Sequence, residues 1–310
     1  MTTAYITHPD CLRHEMGGGH PECPARLNAI NEQMRASGMF DTLRCLEAPL
    51  AQAHDLKRVH RAAYVDLIFD NAPTEGYVQL DPDTAMNSYS LGAARRAAGA
   101  GLLAVDEVMA GQSANAFCAV RPCGHHATQV RSMGFCIFNN IAVAAAYALD
   151  KKGLERVAII DFDVHHGNGT EDMFSAPQWQ ERVLMASFFQ HPFYPYSGSN
   201  SFAPNMINVP MPAGSGGEAV RQAVEQRWLP ALEAFKPQMI LISAGFDAHR
   251  DDLLGGMALI EADYAWMTRE LMGLAARHSQ RRIVSMLEGG YNLSALASSA
   301  VAHVGALAAA

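Results

Sequence analysis

Metal-binding residue types crowd the end of a single apolar run. In "VAIIDFDVHHGNGTEDMF", Val157–Phe174, a stretch suited to a buried strand passes into Asp161, Asp163, His165 and His166, with glycines on both sides of Asn168. An unpaired buried carboxylate is costly, so such groups bind a metal, pair with a cation or accept hydrogen bonds. In an extended backbone Asp161, Asp163 and His165 share one parity, whereas Phe162, Val164 and His166 face the other way. Asp163 and His165 can then ligate one cation, and Asp247 of "GFDAH" offers a third ligand. An Asp, His, Asp set leaves a position open for water, as catalytic zinc sites do. The plainer reading is a satisfied buried polar network.

Three other segments carry groups that such a centre would use. "RPCGHHA", Arg121–Ala127, supplies tandem His125 and His126, and histidine exchanges protons near neutral pH as a base for metal-activated water must. "LEGGYN" sets Tyr291 after two glycines. Its phenol is suited to stabilising a developing oxyanion, a donor whose loss typically costs about two to three orders of magnitude in rate; a structural turn tyrosine is the alternative. "SMGFCIFNN", Ser132–Asn140, and "FFQHPFYPYSG", Phe188–Gly198, hold aromatics that would make a narrow apolar channel if they rim the pocket, and otherwise belong to the core.

The elements that must position these groups are legible around them. "AYIT", "NAFCAV", "RVAIIDF", "RVLMAS", "QMILISAGF" and "RRIVSML" read as strands, and helical patterns occupy 24–37, 88–110, 139–151, 218–235, 262–278 and 293–308. Nearly continuous apolar strands fit a parallel sheet covered by helices on both faces. The expectation is a doubly wound α/β domain, with ligands outside the carboxyl ends of the strands. Four of those ends carry the polar residues named above.

Bulk composition narrows the partners. The 310-residue chain carries a formal charge of −8 and is about half apolar, with no basic stripe for a phosphate backbone, so direct nucleic-acid binding is not expected. A mildly acidic surface leans toward cationic substrates. No run approaches a membrane span and the N-terminus lacks signal-peptide character, which suggests a cytoplasmic protein without a membrane partner. The six cysteines form no CxxC pair and read as reduced thiols.

"RPCGHHA", "GFCIFNN", "DFDVHHGNGTEDMF", "SAGFDAHRDDLLGG" and "EGGYN" together resemble, in order and spacing, the zinc-dependent histone deacetylase family, most of all its class II and bacterial members. The resemblance runs from about His20 to Tyr291. It implies the arginase/deacetylase fold, a single catalytic domain over 1–310 with a parallel sheet of about eight strands. It implies Zn²⁺ on Asp163, His165 and Asp247, His126 as general base and acid, and His125 as its electrostatic partner. Asp161 would orient His125, and Asn168 would stand behind His126, where many class I relatives have Asp. A structural K⁺ would use Asp161, Asp163, His165, Ser187 and neighbouring carbonyls. Gly134, Phe135, Phe193, Tyr194 and Leu254 would contact the substrate.

That substrate, by the same resemblance, is an acylated lysine in a peptide or protein, or a small acylamine, cleaved to a carboxylate and an amine. An acetylpolyamine is the alternative. Relatives that prefer polyamines carry Glu where this chain has Leu254, although Glu22 and the acidic surface pull mildly the other way. Phe189 stands where class II relatives read His in Ser-Leu-His, which implies a more apolar channel rim. An arginase-like pair of manganese ions would need carboxylates where His166 and Ala248 stand. A non-catalytic acyl-lysine reader would not need every catalytic position filled. A homo-oligomer is compatible with the sequence.

Overall fold

The computed structural model describes residues 2–200 and 203–309. Its apolar runs form β1 (Thr3–Thr7), β2 (Leu43–Glu47), β5 (Asn115–Cys118), β6 (Val157–Asp161), β7 (Val183–Gln190), β8 (Met206–Met211), β9 (Met239–Ala244) and β10 (Ile283–Leu287), with β3 (Tyr77–Asp81) and β4 (Thr84–Asn87) as a separate antiparallel hairpin. The first eight make one parallel sheet in the order β2-β1-β5-β10-β9-β6-β7-β8. Every residue of β5, β6, β9 and β10 is buried, which is why these strands lack polar alternation.

The helices are α1 (Ala25–Ala36), α2 (Ala53–Leu56), α3 (Ala62–Asp70), α4 (Ser90–Met109), α5 (Asn140–Asp150), α6 (Asn168–Phe174), α7 (Gly217–Ala223), α8 (Leu229–Phe235), α9 (Glu261–His278) and α10 (Leu293–Ala308). α4 packs with α5, and α1 and α9 pack on either side of α10. The covered sheet is the expected α/β architecture, and the six longer helical patterns lie where the sequence places them. The 218–235 pattern is not one regular helix: a π-helical turn, Val224–Trp228, joins α7 to α8. It holds Trp228 fully buried, stacked on Phe188 at 5.5 Å. Four strands escape the sequence reading: the two of the β3–β4 hairpin and the two at the edges of the main sheet. β2 is only half-buried, and β8 contains Pro210, which an edge tolerates because no inner ladder bond is lost.

Strands β5, β10, β9 and β6 are immediate neighbours, so the loops leaving their carboxyl ends meet over the middle of the sheet. Those are the four ends that carry the polar motifs. β6 stops at Asp161, however, and Asp163 and His165 lie in the loop beyond it. They therefore meet through a loop rather than by strand parity. Asp161 Oδ1 accepts the N–H of Asp163 at 3.1 Å, and Asp163 Oδ1 accepts that of His165 at 2.9 Å, so each acidic side chain folds the next step of the chain.

Candidate active site

Asp163, His165 and Asp247 converge, their candidate ligand atoms all lying within 4.8 Å of one another. Backbone donors hold both carboxylates: Asp163 Oδ2 accepts from Gly289 N at 2.9 Å, and Asp247 Oδ1 from Val164 N at 2.9 Å. His165 Nδ1 faces Asp163 Oδ1 at 3.0 Å and Asp247 Oδ2 at 3.2 Å. Asp247 Oδ2 is buried and accepts no geometrically sound hydrogen bond. A buried carboxylate oxygen left in this state, beside a second carboxylate and an imidazole, fits a cation. Burial and the Asp163 charge push the Asp247 carboxyl up to about 7. Burial opposes charge on His165, but the hydrogen bond to Asp163 and the neighbouring Asp247 carboxylate outweigh it and raise its pKa to about 10. The protonated ring supplies the positive charge this trio demands, and a divalent cation on the same atoms would displace that proton. Gly289 is sterically required, because a Cβ there would overlap Asp247 Oδ2.

The tandem imidazoles sit beside this trio with opposite electrostatics. His125 Nδ1 donates to Asp161 Oδ2 at 2.9 Å, and its Nε2 lies 3.7 Å from Asp163 Oδ2. Burial disfavours its charge, but Asp161 and Asp163 prevail and raise its pKa well above the ordinary histidine value. His126, whose ring lies 4.0 Å from that of His125, is driven well below that value by burial, then by His125 and His165. Its Nδ1 lies 2.7 Å from Asn168 Oδ1, which can only accept, so Nδ1 carries the hydrogen and Nε2 keeps its lone pair. The backbone N–H groups of Gly124 and His125 both donate to Glu288 Oε2, at 2.6 and 3.1 Å, fixing the turn that carries the pair.

A cavity of about 290 Å³ opens over these groups. His126, His165 and Tyr291 line it together with Gly134, Phe135, Phe193 and Tyr194, and Asp83, Leu253 and Leu254 complete it. The Phe193 ring stacks on His165 at 5.3 Å, and Tyr194 meets His126 edge-on at 5.3 Å. Phe135 stands edge-on to Tyr291 at 5.8 Å on the other wall. Gly134 has φ +56°, and a Cβ there would overlap the His126 ring. Burial raises the Tyr291 phenol well above its usual range, so the hydroxyl remains a proton donor. Paired carboxylates, a neutral imidazole and a phenol around an apolar slot can bind a cation, move a proton and donate to an oxyanion.

Comparison with known proteins assigns the chain to a family. Residues 20–307 match the Histone deacetylase domain family. The chain belongs to the histone deacetylase family. It is 38% identical over 281 residues to a histone deacetylase-like amidohydrolase of Pseudomonas aeruginosa, covering 88% of this chain and 73% of that one. It is 35% identical over 301 residues to a probable deacetylase of Archaeoglobus fulgidus, covering 94% and 82%. The crystal structure of the HDA15 HD domain superposes with a TM-score of 0.91 at 36% identity, covering 99% of this chain and 88% of that one. Membership supports a deacetylase or amidohydrolase activity on acylated amines, and it suggests a metal cofactor.

Within this histone deacetylase fold, two further sequence expectations fail. Phe189 is not at the channel rim: it is 1% exposed, with its ring 4.6 Å from His166. It belongs to β7, all eight residues of which are buried, so its bulk serves packing. Glu22 is not at the mouth either. It is fully buried, bonded through both carboxylate oxygens to Arg121 and at 3.1 Å to Arg26, so its charge is neutralised inside the protein. Ser187 is buried beside Asp161 in the β6–β7 register, its Oγ donating to Phe188 O at 3.3 Å. Asp83, Leu253 and Glu288 were not singled out by sequence. Asp83 comes from the turn of the β3–β4 hairpin, and only the fold brings that turn to the cavity. No helix among the described residues is long and apolar enough to cross a membrane.

Proposed function

We propose that the chain, acting as one catalytic domain over 1–310, is a Zn²⁺-dependent amidohydrolase that removes acetyl or a related acyl group from a lysine side chain. The observation that supports this most is the Asp163–His165–Asp247 trio at the foot of an apolar slot walled by His126 and Tyr291. Zn²⁺ on those three groups would supply Lewis acidity toward the amide carbonyl and acidify a water molecule. Phe135, Phe193, Tyr194 and Gly134 enclose the methylenes of the substrate, exclude water and hold the amide over the trio. His126 Nε2 takes the proton of the attacking water, then returns a proton to the leaving amine. His125, kept cationic by Asp161, stabilises the negative charge that builds up beside it. The Tyr291 hydroxyl donates to the oxygen of the former carbonyl, where that charge develops. Acetate and a free amine leave. Asp161, Asp163, His165 and Ser187, with neighbouring carbonyls, are our assignment for a structural K⁺, resting on the family resemblance.

The test is hydrolysis of an acetyl-lysine peptide by the purified chain before and after exhaustive chelation. Turnover is expected to vanish with the chelator and to return with Zn²⁺ or Co²⁺. Asp247→Ala should lower metal content sharply. Undiminished turnover in metal-stripped protein would overturn the reading.

A further inference from the structure

Two thiols meet just behind the cavity wall, and the mechanism above uses neither. Cys123 Sγ and Cys136 Sγ are 3.3 Å apart, a little over 1 Å from the bonding distance of about 2 Å in a disulfide. Both are buried, in a small apolar cluster with Ala127 against which Phe135 packs. They come from separate segments, Cys123 two residues before His125 and Cys136 directly after Phe135. Both point at one acceptor, Gly134 O, at 3.8 Å from Cys123 and 3.3 Å from Cys136. The remaining cysteines (Cys11, Cys23, Cys45 and Cys118) have no such partner among the described residues.

We infer that Cys123 and Cys136 form a reversible dithiol–disulfide couple that slows hydrolysis when oxidised; the second half rests on the amidohydrolase reading above. A small peroxide is the fitting oxidant, since the pair is closed to bulky reagents. One thiol takes an oxygen from the peroxide, forming an S–O bond as the O–O bond breaks and one water leaves. The other sulfur then attacks the sulfenic sulfur, forming S–S as S–O breaks, and the hydroxyl leaves as water with the second thiol's proton. Two electrons pass from the sulfurs to the peroxide. Burial holds the Cys136 thiol well above its ordinary range, which leaves Cys123 as the sulfur that attacks peroxide.

The closed bond reaches the substrate slot by a short route. Bonding the sulfurs draws the 121–126 and 133–136 segments together and strips Gly134 O of both thiol donors. Gly134 lies so near His126 that even a Cβ would overlap the ring, and Phe135 holds φ +67°, so this wall has little room to absorb a shift. Displacing a catalytic wall by about 1 Å can cost up to about a hundredfold in rate.

The experiment treats metal-loaded protein with hydrogen peroxide in a Cys23→Ser, Cys45→Ser background, then maps disulfide-linked peptides and measures turnover before and after dithiothreitol. The expected result is a peptide joining Cys123 to Cys136, loss of activity by about tenfold or more, full recovery with the dithiol and unchanged metal content. Cys123→Ala should keep its basal rate and resist peroxide. Oxidation elsewhere without the 123–136 link overturns the inference, as does the link with unaltered turnover. The peptide map does not depend on catalysis. Absence of any turnover in the reduced protein would therefore count against the amidohydrolase reading, and absence of the link against the couple.

Discussion

Asp252 Oδ2 accepts the backbone N–H of Tyr291 at 2.6 Å. The same oxygen takes Asn292 N at 3.0 Å, and Oδ1 takes Leu254 N at 2.9 Å. One carboxylate thus ties the phenol's backbone to the mouth loop and to the residue whose side chain caps α10 through Ala295 N. Charged hydrogen bonds of this kind are worth about 1.5–3 kcal/mol each. Asp252→Ala is expected to retain its metal but to lose about tenfold to a hundredfold in kcat, because the hydroxyl is no longer held in place. Metal analysis and steady-state kinetics check this, and an unchanged kcat would mean that packing alone positions the ring.

Tyr291→Phe should stay folded and metal-loaded while slowing by about two orders of magnitude, since in the proposed mechanism the phenol acts on the transition state and the ring merely packs. His126→Ala should be at least as slow through loss of proton transfer. Near-normal turnover in Tyr291→Phe would remove the residue from the mechanism.

The neutral partner of His126 has a pH consequence. Burial, then His125 and His165, hold its pKa well below the ordinary value, and Asn168 adds only a neutral acceptor. The proposed base works only when unprotonated, so activity is expected to fall as pH drops through that low pKa. A carboxylate at 168 would stabilise the imidazolium and raise the pKa, and Asn168→Asp should therefore move the acidic limb of kcat/KM up by about one pH unit or more. A limb that stays put or moves down would show that another group titrates there.

A histidine away from the site should govern acid stability. His60 Nε2 accepts the N–H of Asn139 at 2.9 Å and Nδ1 donates to Thr128 O at 2.9 Å, so the neutral ring is the one that fits. Burial lowers its pKa to about 4, against about 6.5 in an unfolded chain. Its contribution is complete above 6.5 and is lost as pH falls toward 4, because the unfolded chain takes up a proton that the fold refuses. The slope is about 1.4 kcal/mol per pH unit. His60→Gln should be less stable at pH 7 but lose stability less steeply between pH 6.5 and 4.5 in denaturant titrations; an equal slope would mean that His60 is not the group responsible.

Much of the site was legible in the sequence because its candidate ligands lie within a few residues of strand ends that the apolar runs mark clearly. Asp161, Asp163 and His165 fall in one segment, and the spacing of "GHH" and "GGY" survives any small error in the strand limits. Groups fixed only by tertiary pairing were not legible. Asp252 looks like half of an exposed "DD" pair until Tyr291 N is seen beside it, and Glu22 looks like a surface acid until Arg121 and Arg26 enclose it. Phe189 misled because alignment with a family pattern gives the register of a residue but not the depth of its strand. The edge strands β2 and β8 were missed because one-sided burial leaves them without the continuous apolar signature of the inner strands.

Substrate choice turns on the mouth. Leu254 lines the cavity and Leu253 beside it is 89% exposed, so a substrate tail leaving the slot meets apolar side chains. The one acid among the cavity-lining residues, Asp83, accepts through Oδ1 from Gly134 N at 3.0 Å and from Thr84 Oγ1 at 2.7 Å, which anchors it to the hairpin turn beside the Gly134 wall. With Glu22 buried against two arginines, the acidic residue that favoured polyamines on sequence grounds is out of play. An apolar gate cannot stabilise a desolvated cation, whereas a charge-assisted contact contributes about 1.5–3 kcal/mol, roughly tenfold or more in selectivity. The wild type should therefore show a higher kcat/KM for an acetyl-lysine peptide than for N8-acetylspermidine, and Leu254→Glu should shift that ratio toward the polyamine by about tenfold. A wild type that favours the polyamine, or a Glu variant with the same ratio, would place the selectivity elsewhere than Leu254.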